Sequence, residues 1–366
     1  MKLGDKKHVL FRADGSNKLG TGHIMRCLTF AHWLKKNGVP SVLVTKDYDR
    51  NIVDLSRSFN CKVEMISGAY SFKEDANITN ALADRYRADV IISDMNNADT
   101  LTRVKEYIEY LEILKNDNKF SIVIDGFGSE CISAKTRIPS DITVIPYFGS
   151  EDGIYMGRDK TQYLLGSKYF IFREEFIKVT KIKRKIKKNA NNVLVTMGGS
   201  DPFRITIKVV KALGCMNKPF LNLKVILGAA FNSLAKKEIK AILEKFRGDY
   251  KIIENCNNMA ELMLWSDLVI INGGLTKYEA AITGTPTFVV SHSEAEKKIM
   301  KDFQKGGSAI HLGYAKNIKE NIICEAVEDL LSNNTLRKRM SEKGRGIVDG
   351  KGADRIISRI PKELLK

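Results

Sequence analysis

Two glycine-containing turns in the second half of the chain have the residue types and spacing to bind an anion. Met197–Pro202 reads Met-Gly-Gly-Ser-Asp-Pro, and Asn272–Glu279 reads Asn-Gly-Gly-Leu-Thr-Lys-Tyr-Glu. Each follows an apolar, strand-like run and opens a helix-like segment, so the main chain can approach a ligand and offer it unpaired N–H groups. The pair Asp201-Pro202 is also typical of an ordinary N-cap followed by the first helical residue. The residues of these turns predicted to bind a nucleotide are Gly198, Gly199, Ser200, Asp201, Gly273 and Gly274, with the turn amides as the phosphate contacts.

Thr276 and Glu279 allow two interpretations. A carboxylate at Glu279 could accept hydrogen bonds from both hydroxyls of a ribose while the turn amides hold a diphosphate. The same Thr-x-x-Glu spacing is a capping box, in which both side chains only satisfy N–H groups at the helix start. The two glycines just before the pair favour the nucleotide interpretation, because a cap does not require them.

A third glycine-containing turn runs from Asp14 to His23 and supplies a histidine. The positive end of a helix dipole disfavours imidazolium, so His23 is predicted to be neutral near pH 7 and able to accept a proton as the catalytic residue. The alternative is a helix-start histidine bonded to a nearby carbonyl. Arg26 could face a phosphate or carboxylate, and Asp14 could orient the imidazole or hold substrate hydroxyls. Each of the two could equally form a local ion pair.

Aspartates end two further apolar runs of the first half: Asp94 follows Val90–Ser93, and Asp125 follows Ser121–Ile124. Such aspartates either point towards a ligand or cap the next element. No histidine–carboxylate cluster has the spacing of a metal site, so neither a metal nor a cofactor is predicted. The predicted substrate-binding residues around His23 are Asp14, Gly22, Arg26 and Asp94.

Strand-like and helix-like runs alternate along both halves, which predicts parallel sheets. The predicted fold class is α/β and GT-B-like, with two doubly wound Rossmann-type domains facing each other across a cleft. All three turns fall at the carboxyl ends of predicted strands, where such sheets bind ligands. The predicted segments are an N-terminal sugar- or acceptor-side domain (1–175), a basic linker (176–190), a nucleotide-binding domain (191–350) and a C-terminal helix (351–366).

The composition describes a globular protein of more than one core, with 366 residues of which 43% are hydrophobic. No apolar run reaches membrane-spanning length, no secretory signal is indicated, and the six scattered cysteines predict reduced thiols in the cytoplasm.

The net charge of +17 is compatible with a nucleic acid, an anionic membrane or an acidic small substrate as the partner. The basic stretches lack the interleaved aromatics of a nucleic-acid platform. We expect a monomer with no nucleic-acid partner.

Five segments spread over nearly the whole chain share a pattern with a known family. They are Phe11–Cys27, Tyr163–Phe176, Met197–Pro202, Asn272–Glu279 and Val348–Arg355, in the expected order. This pattern resembles the UDP-sugar hydrolases of pseudaminic acid biosynthesis, which act on UDP-2,4-diacetamido-2,4,6-trideoxy-β-L-altropyranose, and their spore-coat polysaccharide relatives.

The resemblance implies a GT-B fold in which water takes the place of a glycosyltransferase acceptor and UDP leaves the anomeric carbon of the sugar without a metal. His23 matches the catalytic histidine of the family. The positions that match its nucleotide site are Gly273, Gly274, Thr276, Glu279 and, for main-chain contacts to uracil, the Asn257–Met259 loop.

Three departures from the family pattern leave other functions open. In the family an aromatic residue is common two positions after the strand-end aspartate, but in this chain that position, two after Asp94, is Asn96. An acidic pair at the next strand end is replaced by Asp125-Gly126, and a Glu-Asn-Gln-like segment reads Glu294–Lys298. The alternatives are a different sugar or nucleotide, a binding module without catalysis, or a glycosyltransferase with a non-water acceptor. If the protein is a transferase, its basic surface could dock on an anionic membrane that carries a lipid acceptor.

Overall fold

The computed structural model describes the main chain of most of the sequence. The described residues are 7–16, 21–48, 53, 56–57, 59–96, 98–116, 118–126, 130–155, 160–199, 201–216, 218–228, 231–254, 256–291 and 294–366, without the side chains of 98, 116 and 294–299. Ser200 and positions 17–20 of the first glycine turn lie outside these ranges, as do side chains from the segment Glu294–Lys298.

The described residues form two sets of strands and their connecting helices. The strands are β1 (Val9–Ala13), β2 (Ser41–Lys46), β3 (Lys62–Ile66), β4 (Val90–Asp94), β5 (Phe120–Ile124), β6 (Ile142–Ile145), β7 (Gln162–Leu165), β8 (Asn192–Thr196), β9 (Asn222–Leu227), β10 (Asp249–Glu254), β11 (Leu268–Asn272), β12 (Thr287–Ser291) and β13 (Ala309–Tyr314). The α-helices are α1 (Gly22–Lys36), α2 (Phe72–Arg85), α3 (Ala98–Thr102), α4 (Val104–Asn116), α5 (Glu174–Val179), α6 (Ile205–Gly214), α7 (Ser233–Leu243), α8 (Met259–Trp265), α9 (Thr276–Thr283), α10 (Glu294–Lys305), α11 (Glu320–Ser332), α12 (Asn334–Ile347) and α13 (Gly352–Ile357).

Both sheets are parallel. Their strand orders are β3-β2-β1-β4-β5-β6-β7 and β10-β9-β8-β11-β12-β13. Helices cover both faces of such sheets, which explains why β1, β4 and β8 are buried along their whole length. In each sheet the chain order reverses at one central pair, β1 with β4 and β8 with β11. Ligands of doubly wound sheets bind beyond the carboxyl ends of that pair, so the residues that follow these four strands form the candidate sites.

The chain divides into two compact units. The first comprises Met1–Phe172 and Lys351–Lys366, and the second comprises Arg173–Gly350. Within the first unit, the C-terminal segment packs closely against the chain near Phe170, because a Cβ at Gly352 would lie 2.2 Å from the carbonyl oxygen of Phe170. Only glycine permits this approach.

The segment predicted as a basic linker, 176–190, begins within α5 and groups with the second unit. Arg184 donates to the carbonyl of Met263 at 2.9 Å, and Arg337 donates to the carbonyl of Lys187 at 2.8 Å. The segment is therefore held along its length by hydrogen bonds from guanidinium groups to main-chain carbonyls.

Apolar periodicity determines which helix faces are buried. Ile24, Leu28 and Ala31 are buried on one side of α1, as their helical spacing predicts. The two apolar runs that precede Asp94 and Asp125 form β4 and β5, as predicted. Within the described part of the chain, no helix is both long enough and apolar enough to cross a bilayer.

Candidate functional site

His23 and Asp94 meet at the central strand pair of the first sheet. His23 is the second residue of α1, and Asp94 is the last residue of β4, beside the end of β1. The two atoms Nδ1 of His23 and Oδ1 of Asp94 lie 2.7 Å apart. The Asp94 side chain is fully buried, whereas the imidazole is 21% exposed. The catalytic histidine predicted from the sequence is therefore held by a carboxylate and retains access to solvent.

Arg26 fixes the same carboxylate from the next turn of α1. Its Nε donates to Oδ2 of Asp94 at 2.6 Å and its Nη2 donates to Oδ1 at 2.7 Å. Its Nη1 donates to the hydroxyl of Tyr147 at 2.8 Å. Burial alone would raise the pKa of Asp94, but the charge of Arg26 and the hydrogen bonds from Arg26 and His23 lower it to about 2. Asp94 is thus ionised at neutral pH.

This contact decides which nitrogen of His23 can accept a proton. A carboxylate only accepts hydrogen bonds, so Nδ1 carries the hydrogen shared with Asp94, and Nε2 of the neutral ring has the lone pair. A proton taken up at Nε2 would create an imidazolium that Asp94 stabilises. The arrangement is that of an oriented general base.

Asp14 makes no hydrogen bond to His23 among the described residues, although the sequence suggested that it could orient the imidazole. It accepts hydrogen bonds from Arg12 at 2.7 and 3.0 Å and from the Lys46 main chain at 2.9 Å. Arg12 also donates to Asp75 at 2.6 and 2.9 Å and is fully buried. The local ion pair expected as one alternative for Asp14 is present. Asp94 is the carboxylate that orients the ring, and a contact of Asp14 with substrate hydroxyls stays a prediction.

The Asp125 carboxylate is hydrogen-bonded mainly to the loop that follows it in the chain. It accepts hydrogen bonds from main-chain N–H groups of Gly126, Ile132 and Ser133 at 2.8 to 3.1 Å, and from Asn96 Nδ2 at 2.7 Å. Of the two interpretations from the sequence, local capping describes Asp125. The Arg26 guanidinium is hydrogen-bonded to Asp94 and Tyr147. Gly22 is the first residue of α1, and its contact with substrate stays a prediction.

The glycine turns of the second unit meet at its own central strand pair, β8 and β11. Asn272, the last residue of β11, donates to the carbonyl of Met197 at 2.9 Å and accepts from the Gly274 N–H at 3.3 Å. Gly198 has φ +80°, a conformation that favours glycine. A Cβ at Gly228, just beyond β9, would lie 2.4 to 2.5 Å from the carbonyl oxygens of this turn. The ends of β8, β9 and β11 therefore lie close together, with the Gly199 main chain exposed to solvent.

Helix α6 begins later than the sequence predicted. Pro202 is not its first residue, because α6 starts at Ile205 and its N-cap is Arg204 in the left-handed conformation. The Asp201 carboxylate nevertheless accepts from the N–H groups of Ile205 and Thr206 at 2.9 and 2.6 Å. It occupies donors that a phosphate would otherwise use, so Asp201 supports the helix start and its predicted nucleotide contact is weakened.

The capping box predicted as the alternative role of Thr276 and Glu279 does not form. Thr276 is the first residue of α9, the N-cap is Leu275, and this cap makes no side-chain hydrogen bond. Glu279 instead accepts from Nη2 of Arg173 at 2.9 Å. Its carboxylate therefore forms an ion pair with Arg173, and its predicted contact with the ribose stays a prediction.

Arg173 and Glu175 were missed as individual candidates, although they lie within the family-like segment Tyr163–Phe176. Nη1 of Arg173 lies 2.7 Å from Oε1 of Glu175, and Oε2 of Glu175 accepts from the Ala260 N–H at 3.1 Å. Ala260 follows Met259, the first residue of α8. The loop predicted to contact uracil and the carboxylate predicted to contact ribose are therefore connected through one guanidinium.

Together these features define the class of fold. The chain consists of two parallel-sheet α/β domains of the GT-B type, as the sequence predicted. Residues 192–359 match the model of the glycosyltransferase family 28 C-terminal domain. This match covers the strands, turns and helices that form the candidate nucleotide site.

Two relatives are similar over most of this chain. An uncharacterized protein of Methanocaldococcus jannaschii, MJ1062, is 32% identical over 314 residues, which cover 83% of this chain and 59% of that relative. The chain thus spans about three fifths of its length. The spore coat polysaccharide biosynthesis protein SpsG of Bacillus subtilis is 26% identical over 352 residues, covering 96% of this chain and 97% of SpsG.

Two solved structures have a similar fold at low sequence identity. MurG of Acinetobacter baumannii has a TM-score of 0.68 and 14% identity, covering 97% of this chain and 99% of MurG. The UDP-GlcNAc 2-epimerase of Neisseria meningitidis, solved bound to UDP-GlcNAc, has a TM-score of 0.60 and 15% identity, covering 97% and 100%.

Proposed function

We propose that this protein is a nucleotide-sugar hydrolase. Its substrate would be a UDP-2,4-diacetamido-2,4,6-trideoxyhexose-like donor, from which it releases UDP in the biosynthesis of a nonulosonic, pseudaminic-type acid or a related surface glycan. The observation that carries the proposal is the 2.7 Å contact between His23 and Asp94, which leaves Nε2 to act as a base. The name of SpsG and the UDP-sugar bound to the N. meningitidis epimerase support the substrate class.

In the proposed reaction, Nε2 of His23 takes a proton from water as the water oxygen bonds to the anomeric carbon. The bond from that carbon to the diphosphate oxygen breaks, and UDP leaves with both bonding electrons. Asp94 stabilises the imidazolium that forms. Main-chain N–H groups of Gly199 and Gly273 would stabilise the charge on the departing diphosphate, whereas the Gly274 N–H is donated to Asn272.

The decisive experiment incubates the protein with a panel of UDP-sugars and measures UDP release without an added acceptor. We expect His23→Ala to abolish turnover while UDP affinity, measured by calorimetry, stays nearly unchanged. His32→Ala, on the same helix, is the matched control and should retain activity. Equal loss of turnover and UDP affinity in His23→Ala would show that His23 serves binding or folding instead.

Glu279→Ala tests the nucleotide end of the site. We expect UDP binding to weaken by about 1–3 kcal/mol, because ribose hydroxyls and Arg173 lose their charged partner. Glu244→Ala, at an exposed glutamate that directly follows α7, provides an acidic control that should leave UDP binding unchanged. Unaltered affinity in Glu279→Ala would remove this residue from the nucleotide site.

A glycosyltransferase with a non-water acceptor is the second candidate, favoured by the match of residues 192–359 to a glycosyltransferase domain. The two functions differ in their dependence on an acceptor. A hydrolase releases UDP and free sugar in equal amounts in buffer alone. A transferase would release UDP at a substantial rate only after an acceptor, such as a lipid-linked sugar in anionic vesicles, is added.

A further inference from the structure

Arg173 joins two carboxylates that come from different helices of the second unit. Its guanidinium contacts Glu175, in α5, at 2.7 Å and Glu279, in the first turn of α9, at 2.9 Å. The three side chains are only 18% to 25% exposed. Partial shielding from water makes such pairs stronger than those on an open surface.

The same guanidinium is linked to a third helix. Glu175 uses its other oxygen to accept from the Ala260 N–H in the first turn of α8. Burial raises the pKa of Glu175, and the charge of Arg173 opposes this rise. Arg173 therefore keeps together the starts of α8 and α9. The loop before α8 is the one that the family resemblance assigns to uracil, and the turn before α9 is the one that the proposed function assigns to the diphosphate.

Only one oxygen of Glu279 is used by Arg173. The guanidinium donates to Oε1, and among the described residues no hydrogen bond is made to Oε2. A glutamate side chain has several rotatable bonds, so a fixed ion pair at one oxygen determines where the other oxygen points. Without the guanidinium, Glu279 would also face the uncompensated charge of Glu175.

We propose that Arg173 is a positioning residue that makes the site select ribonucleotides over deoxyribonucleotides. By holding Oε1 of Glu279, it directs Oε2 to accept a hydrogen bond from a ribose 2′-hydroxyl. The inference rests on the proposed function, because it requires UDP to bind at Glu279. It adds a selectivity that the glycine turns cannot supply, since their N–H groups contact only phosphate.

The test compares binding of UDP and 2′-deoxy-UDP by calorimetry. Loss of one hydrogen bond to a charged group predicts that the native protein prefers UDP by about tenfold or more. Arg173→Met should reduce this preference to about twofold or less, and Arg173→Lys, which keeps a charge, should retain an intermediate preference. Arg173→Gln replaces the methionine variant if the latter does not fold. Arg103→Met, at a partly exposed arginine of the first unit, is the control and should leave the preference intact.

The ratio of the two affinities separates positioning from a merely structural role. A structural role would weaken both nucleotides equally and leave the ratio unchanged, which would overturn the inference. Glu279→Gln distinguishes the failure of the inference from that of the proposed function. If the native protein binds no UDP, the proposed function itself fails. If Glu279→Gln loses the preference while Arg173→Met and Arg173→Gln retain it, the nucleotide site stands and the role of Arg173 does not.

Discussion

The two candidate sites occupy equivalent positions in their sheets but are built from different chemical groups. At β1 and β4 the groups are charged side chains. Asp94 and Arg12 are both fully buried, and Asp94 pairs with Arg26 while Arg12 pairs with Asp75. At β8 and β11 they are main-chain atoms of glycine turns, connected by the amide of Asn272. A substitution in the first site changes buried charge, whereas one in the second changes the path of the chain. We therefore expect the first to affect stability and turnover, and the second to affect mainly nucleotide affinity.

Asp94→Asn should have the largest effect and tests whether the first site depends on buried charge. Removing the carboxylate leaves Arg26 buried without its counter-charge, so we expect a loss of about 3–5 kcal/mol in the free energy of unfolding. Turnover of the folded fraction should fall by roughly 10³-fold or more, because the imidazole loses its orientation. Urea unfolding and UDP-release assays measure the two quantities.

Asp84→Asn is the matched control, since Asp84 is exposed and pairs with Lys119 at the surface. A loss in Asp94→Asn no larger than in this control would mean that the buried ion pair is unimportant.

Acid should destabilise the first unit through the same residue. The pKa of Asp94 is about 2 in the folded protein, below its value of about 3.9 when unfolded, so the unfolded chain binds more protons between these values. The stabilisation is complete above about pH 5 and declines as the pH falls towards 2, amounting to roughly 2–3 kcal/mol for this one group. Asp14, whose pKa is also lowered, should add a loss of the same sign.

Unfolding free energies measured between pH 7 and pH 3 check this dependence. Asp94→Asn should lose stability less steeply with acid than the native protein. Identical slopes would show that Asp94 has the same pKa in both states.

Gly198→Ala should have the smallest effect and tests the second site. A Cβ here would find its nearest atom, Nδ2 of Asn272, at 3.7 Å, so the cost comes from φ +80° and not from a clash. We expect about 1–2 kcal/mol of destabilisation and weaker UDP binding as the turn shifts. Calorimetry and thermal unfolding provide the measurements.

Gly214→Ala is the comparison, because Gly214 is the last residue of α6, has no strained φ and would meet no atom within 4 Å. It should be neutral or slightly stabilising. If both alanine variants behave alike, the conformation of Gly198 is not required by the turn.

The sequence was most informative where the signal is local. Apolar runs predicted strands in both units, and the helical spacing of Ile24, Leu28 and Ala31 predicted a helix after His23, because both signals come from neighbouring residues. Local signals also misled: the Thr276–Glu279 spacing suggests a cap, but Glu279 turns to Arg173, more than a hundred residues earlier. Tyr147 could have been found as a strand-end residue, since it lies two positions beyond β6.

What the sequence determined by itself is the alternation of parallel strands and helices, and the presence of glycine turns and one histidine after strand-like runs. These follow from side-chain periodicity and from the conformational freedom of glycine. Only the tertiary structure decided which carboxylate orients His23. Asp14 is much nearer along the chain, yet it pairs with Arg12, while Asp94 reaches the ring because β4 lies beside β1. Strand order is set by long-range packing of the whole sheet, and no local pattern of residues encodes it.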